Sequence, residues 1–450
     1  MPAPPPPFPD PAVLGRVLRY PETLTPADLP HVQASGQGGA VYFALSAEHP
    51  LRPFLRQYML DLALRHAQIR AELRPLLAAW AAEGIPALLF KGFALAEFEY
   101  RNPAERFYGD VDVLLPADLP TVMRAVHIAL AHGWRSDGQH ADPDLWTHET
   151  AHLYSSGGAV RLDVHRFAVS FTDGLGQKRA EALTAGLWQR ATQYDWDGVL
   201  VWRPSPLDAA VLNLSLSRTW GGDMGGIKPA DYADLRQLMA RHNLSFVALA
   251  EHASQLGAEA TWAAFLSQCN PARGCLELDV SRSAPFLSQA ARQDGLQPHL
   301  LLWAQRLRSL GRILPLLPTA LLDVLWAGWA VRRGGDPRTY LNRWTPAAPV
   351  RRLPLRQLGL RLVAISWLTR LFYPRQRQLG VCVPRAYATY RILRRAGHPA
   401  VFVSGVARRG GAVVGHAWVE DDRGNIEAYG EPSNRQRFKV LLQFPAPPEP

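Results

Sequence analysis

Cysteine occurs only three times in 450 residues, at Cys269, Cys275 and Cys382, and the three share no spacing that would hold a metal. An odd count without a secretory signal argues against a disulfide scaffold and for a reducing, cytoplasmic setting, with Cys269 and Cys275 in the loop-like stretch QCNPARGC as free thiols. Lysine is scarce, so the 49 basic residues are mostly arginine. The opening MPAPPPPFPDP lacks the basic start and unbroken apolar run of a signal peptide, and its prolines favour an extended tail. The long apolar run at residues 313–331 is broken by Pro315, Pro318 and Asp323. A buried or surface-lying helix is expected there rather than a membrane span. No internal repeat is evident.

Hydrophobic residues make up 48% and aromatics 10%, a globular composition, and the length calls for two or three domains. The expected architecture is α+β and multidomain. A Pro-rich disordered tail (1–30) precedes a mixed sheet with helices (31–260), a helical and basic linker (261–365), and a smaller α+β domain (366–450). The net charge of +10 is concentrated: residues 332–377 hold eleven arginines against one acid, Asp336. That stretch suits a solvated helix face, an acidic peptide or a peripheral membrane contact. No nucleic-acid-binding motif accompanies it, so nucleic acid is not an expected partner.

The pattern FLRQYMLDLALRHAQIRAELRPLLAAWAAEG repeats every three to four residues, as an amphipathic helix should, and stops at Gly84. IPALLFKG then reads as a buried strand ending in Gly92. In GDVDVLLP, Asp110 and Asp112 share one face, because strand side chains alternate. A hairpin turned at Gly157 and Gly158 puts Asp163 on another strand. Two carboxylates on one strand and a third on a neighbour are what polymerase-type nucleotidyltransferases use to hold Mg²⁺ against nucleotide phosphates. His152 and His165 also stand on these strands; both read as hydrogen-bonded structural residues and stay outside the expected metal set.

Near the other end, CVPRAYATYRILRRAGHP has helical periodicity and ends at Gly397, which puts Cys382 at a helix N-terminus. There the helix dipole favours the thiolate, the form that attacks. AVFVSGVA and AVVGHAWVED follow as a hairpin, with GNIEAYG as a third strand. His416 could take the thiol proton, and Glu427 is the first choice to orient the imidazole, with Asp421 and Asp422 as rivals.

Two resemblances attach to these motifs. Lys91-Gly92, Arg106, Gly109-Asp110-x-Asp112, His152 and Asp163-Val164-His165 are similar to the uncharacterised, polymerase-β-like nucleotidyltransferase family. That likeness implies an NTP, ATP foremost, and Mg²⁺ as cofactors. It places Lys91 and Arg106 on phosphate beside Gly92, with Asp110, Asp112 and Asp163 on metal. CVPRAYATYRILRRAGHPAVFVSGV followed by GHAWVE resembles the lasso-peptide leader protease family, whose domain is transglutaminase-like, itself papain-like. It implies Cys382 as nucleophile and His416 as base, with an acid about a dozen positions later, near Glu427.

Together they imply a cytoplasmic maturation enzyme for a ribosomally made, lasso-type peptide. Its expected partners are a precursor peptide with a leader, a leader-recognition protein and a cyclase. The other reading keeps a nucleotidyltransferase that modifies a peptide or small acceptor, with an inactive C-terminal binding domain.

Overall fold

The computed structural model describes residues 11–136, 149–169, 174–216, 228–270, 275–276, 289–290, 292–295, 313–346, 355–373, 382–409, 412–420 and 438–445, with 307 and 311. The chain divides into two compact units, one of Pro5–Ser136 with Pro143–Gln305, the other chiefly Arg306–Pro450.

The first unit is built on a mixed seven-stranded sheet. Its strands are β1 (Leu88–Phe90), β2 (Val111–Leu114), β3 (Arg135–Ser136), β4 (Glu149–Tyr154), β5 (Arg161–His165), β6 (Thr192–Trp196) and β7 (Val199–Arg203). They lie in the order β3-β4-β5-β2-β1-β7-β6, with β2 parallel to β5 and antiparallel to β1. Leu89, Val111, Val113, Leu162 and Val164 point to one face and share a core with Ile69, Leu73, Leu76 and Trp80. Those four come from the expected long helix, α2 (Arg52–Ala82), which follows a short α1 (Pro11–Arg19). Leu88, Phe90 and Leu114 point the other way, into a core with Leu235 and Leu238 of α5 (Pro229–His242). Between these helices come α3 (Lys91–Phe98) and α4 (Leu119–Ala131). The alternation that buries apolar side chains on both faces thus leaves Asp112, Asp163 and His165 together on the second.

One expected boundary and one expected loop change. In α1, inside the expected tail, Val13, Leu14 and Val17 are buried in the second core, so order begins well before residue 31. Cys269 is buried at the start of a short hairpin, β8 (Cys269–Asn270) with β9 (Cys275–Leu276), not in a loop.

The second unit contains α6 (Leu317–Arg333), α7 (Pro337–Trp344), α8 (Leu355–Phe372) and α9 (Cys382–Arg395). Its sheet, of β10 (Val401–Arg409), β11 (Ala412–Glu420) and β12 (Lys439–Phe444), runs β11-β10-β12 and is antiparallel. One core joins Ala320, Val324, Ala327, Leu341, Trp344 and Ile365 to Tyr387, Tyr390, Leu393, Phe402, Ala417 and Val419. The helices expected as a linker are therefore half of this unit's interior. α6 buries Ala320, Val324 and Ala327 and exposes Leu322, Leu325 and Trp326, while its Asp323 pairs with Arg391 of α9. By length and composition Leu314–Arg333 could cross a membrane. The expected third strand, GNIEAYG, lies outside the described residues, and Lys439–Phe444 supplies the third strand seen.

Candidate functional sites

β1 ends at Phe90, and Lys91 opens α3 with a φ of 56°, a left-handed conformation that a side-chain-bearing residue seldom adopts. Such strain persists where the surroundings over-determine it, and here they do. Gly92 is pressed against Tyr108, where an added Cβ would stand 2.9 Å from the tyrosine Cβ. The sharp turn aims Lys91 back over the sheet, and its Nζ donates to Asp112 Oδ1 at 2.9 Å.

Asp112 stands opposite Asp163 in the parallel β2–β5 register. Its Oδ1 also accepts, at 2.9 Å, from Nε2 of His165. Burial, then the Lys91 charge, pushes the His165 pKa down to about 4, so the ring is neutral and Nε2 carries the donated proton. Burial opposes the charge on Asp112, but Lys91 and His165 outweigh it and hold the carboxyl well below the usual range.

Asp163 differs. Burial pushes its pKa up to about 7; His152 and Arg161 pull it down, and the charges of Asp112 and Asp110 push it further up. Arg161 grips it through two hydrogen bonds, Nε to Oδ1 at 3.0 Å and Nη2 to Oδ2 at 3.2 Å. Asp110 sits one residue ahead of β2 rather than on it, and burial and Asp112 raise its pKa too. Lys228, just ahead of α5, is near enough to pull it back. The three carboxylates thus repel one another across a buried patch. All three offer oxygen, the donor a hard divalent cation such as Mg²⁺ takes, but among the described residues the acidic group whose ligand atoms converge to within 4.8 Å contains Asp163 without Asp110 or Asp112.

Arg106 is placed elsewhere. Its Nε and Nη2 reach Asp234 Oδ1 and Oδ2 at 2.7 and 2.6 Å, and Tyr100 donates to the same carboxylate at 2.8 Å. Both partners are buried, so the guanidinium expected on phosphate instead ties its loop to α5. Asp234 carried no local sequence signal; 128 residues separate the pair.

His152 is hydrogen-bonded: it faces Asp163 across β4–β5, and Glu149 lies beside it, Nε2 to Oε2 at 3.0 Å. Ligand atoms of Glu149, His152 and Asp163 all lie within 4.8 Å of one another.

In the second unit Cys382 is the first residue of α9, half-buried, with Pro384 buried in the first turn where proline is tolerated. His416 stands opposite Gly405 near the middle of β11. Its ring stacks on Phe438 and Trp418, with centroids 5.0 and 5.7 Å away. Ala417 and Val419, on the other face of β11, are the residues that share a core with α9. Alternation therefore puts His416 on the face turned away from that core. Glu427, Asp421 and Asp422 lie outside the described residues.

Residues 41–271 match the model of a family described as uncharacterised nucleotidyltransferase, and residues 319–443 match that of the transglutaminase-like superfamily. No curated protein and no solved structure matches the chain. The second match begins at α6, in line with the core that unites α6 to α9 with the small sheet. The first covers just over half of the sequence, and with the acidic sheet face inside it the chain belongs to the uncharacterised nucleotidyltransferase family and carries a transglutaminase-like domain besides.

Proposed function

We propose that the chain is a two-centre maturation enzyme for a ribosomally made, lasso-type peptide, with a nucleotide-dependent centre on the large sheet and a cysteine centre that removes the leader. The observation that carries the first half is the register of Asp112 with Asp163 on adjacent parallel strands, with Lys91 Nζ 2.9 Å from Asp112. In this reading Asp110, Asp112 and Asp163 hold Mg²⁺, which when bound with an NTP neutralises phosphate charge for in-line displacement. Lys91 stands ready to exchange Asp112 for a phosphate oxygen, and Lys228 offers a second cation near Asp110. The backbone at Gly92, in the first turn of α3, presents N–H groups suited to an anion. His165 stays neutral and holds Asp112 in its ionised form. Asp112→Asn should abolish Mg²⁺-dependent binding and turnover of radiolabelled ATP; a wild-type protein that neither binds nor consumes any NTP would sink this half.

At the second centre the Cys382 thiolate attacks the scissile carbonyl. The amine leaves with the proton that His416 took from the thiol, and water then hydrolyses the thioester. Cys382→Ala should leave a cognate precursor uncut in a mass-spectrometric assay, and processing that continues unchanged would end the assignment.

A second reading is favoured by the face on which His416 lies, away from the α9 core. There the C-terminal domain binds the peptide without cutting it, and the nucleotidyltransferase centre modifies the bound peptide or a small acceptor. Nucleotidylation of a precursor that wild-type enzyme never cleaves would select it.

A further inference from the structure

Outside the three aspartates, the edge of the same sheet carries a second constellation. In a regular strand Glu149 and His152, three apart, would point to opposite faces. The β4–β5 register slips between Glu149 and Ala151: Glu149 pairs with His165, yet Ala151 pairs with the preceding residue, Val164. The extra residue, Thr150, is a β-bulge, and bulges re-aim side chains. It turns Glu149 to the side of His152, whose Nε2 lies 3.0 Å from Glu149 Oε2 and 3.9 Å from Asp163 Oδ1.

From this geometry we infer that Glu149, His152 and Asp163 form a second divalent-cation site, one that takes Mn²⁺ or Zn²⁺ in preference to Mg²⁺. Two carboxylate oxygens and an imidazole nitrogen make a mixed N,O set: the imidazole suits Zn²⁺ and the two carboxylates suit Mn²⁺, where Mg²⁺ keeps to oxygen. Ligand atoms of a bound transition ion sit about 2.0–2.2 Å from it, hence roughly 3–3.5 Å from one another. The His152–Glu149 separation of 3.0 Å already meets that, the His152–Asp163 separation of 3.9 Å must contract, and all three ligand atoms lie within 4.8 Å of one another. Their side chains are 24%, 15% and 6% exposed, enough for an ion to enter from solvent beside Glu149 while Asp163 anchors it from within. Arg161 holds Asp163 as well, and its side chain, 39% exposed, can yield that carboxylate to an ion. Asp163 is common to this set and to the three aspartates, but the site needs no nucleotide and is tested without one.

Full-length protein titrated with Mn²⁺ alone, followed by pulsed electron paramagnetic resonance, reads the site directly. A nitrogen nucleus coupled to the bound Mn²⁺ is expected in the wild type and in Asp112→Asn. It should vanish in His152→Gln, with Mn²⁺ affinity at that site weakened more than about tenfold, since even supporting residues cost that much. Glu149→Gln, which leaves the imidazole in place, should weaken affinity while keeping the nitrogen coupling. Absence of coupling in the wild type, or its persistence in a folded His152→Gln protein, overturns the inference. Neither result bears on ATP binding, which stands or falls by the Asp112→Asn experiment.

Discussion

At the scale of single residues, burial and charge set what each acid can do. Asp163 titrates near 7 in the folded, metal-free chain because it is buried, against an ordinary value of 3.8. Below about pH 4 its carboxyl is neutral both folded and unfolded and costs nothing; as pH rises toward 7, the unfolded chain gains by ionising while the folded one cannot. Stability from this group therefore falls between pH 4 and 7. Asp163→Asn should raise the melting temperature of metal-free protein at pH 8, by up to ~4 kcal/mol of stability, and leave it nearly unchanged at pH 4. Equal shifts at both pH values would refute the assigned cause.

Arg106 and Asp234 make the opposite case, a buried pair whose charges satisfy each other. Arg106→Met alone strands the Asp234 carboxylate and should cost about 3–5 kcal/mol in chemical denaturation, whereas adding Asp234→Leu should recover most of that loss. A single variant of full stability with weakened ATP binding would instead restore Arg106 to the phosphate. The resemblance pointed to Arg106 correctly as a special residue but not to its role, because the partner sits on a helix far along the chain.

Among the elements, the turn from β1 into α3 concentrates the constraint. The strand was legible from IPALLFKG, and so was the glycine at its end. What the string does not carry is the approach of Tyr108 to Gly92. Gly92→Ala puts a Cβ against a Cβ that cannot swing aside, and should destabilise by about 1–3 kcal/mol while displacing Lys91 and lowering ATP affinity. Thermal melts and equilibrium dialysis on the same variant check both. The period of two that holds along β2 and β5, where Asp112 stands opposite Asp163, fails at β4 for Glu149, since a bulge breaks it. The pairing partner, not the strand's own composition, reveals the slip.

For the whole molecule, the division of labour differs from the one composition suggests. By composition the prolines and glycines between Gly334 and Pro349 would suit a hinge, yet Leu341 and Trp344 of α7 lie between them and are buried in the core that holds α9. A fragment of residues 306–450 should therefore unfold cooperatively. One beginning at 366, deprived of α6 and α7, should not, and it should aggregate through exposed Tyr387 and Leu393. A folded 366–450 fragment by amide-proton nuclear magnetic resonance would return the boundary to the later position.

What the sequence determined by itself was local and periodic. It set the long α2, the strands carrying Asp112 and Asp163, and the start of α9 at Cys382, because spacing of apolar residues and turn chemistry act over a few residues. Its motifs also carried both families. Tertiary structure decided what depends on distant partners: Asp234 takes Arg106, a bulge brings Glu149 to His152, and the linker helices become core. Lys91 settled on Asp112 for the same reason, since a charge in a buried site is placed by whatever opposite charge the fold brings within reach.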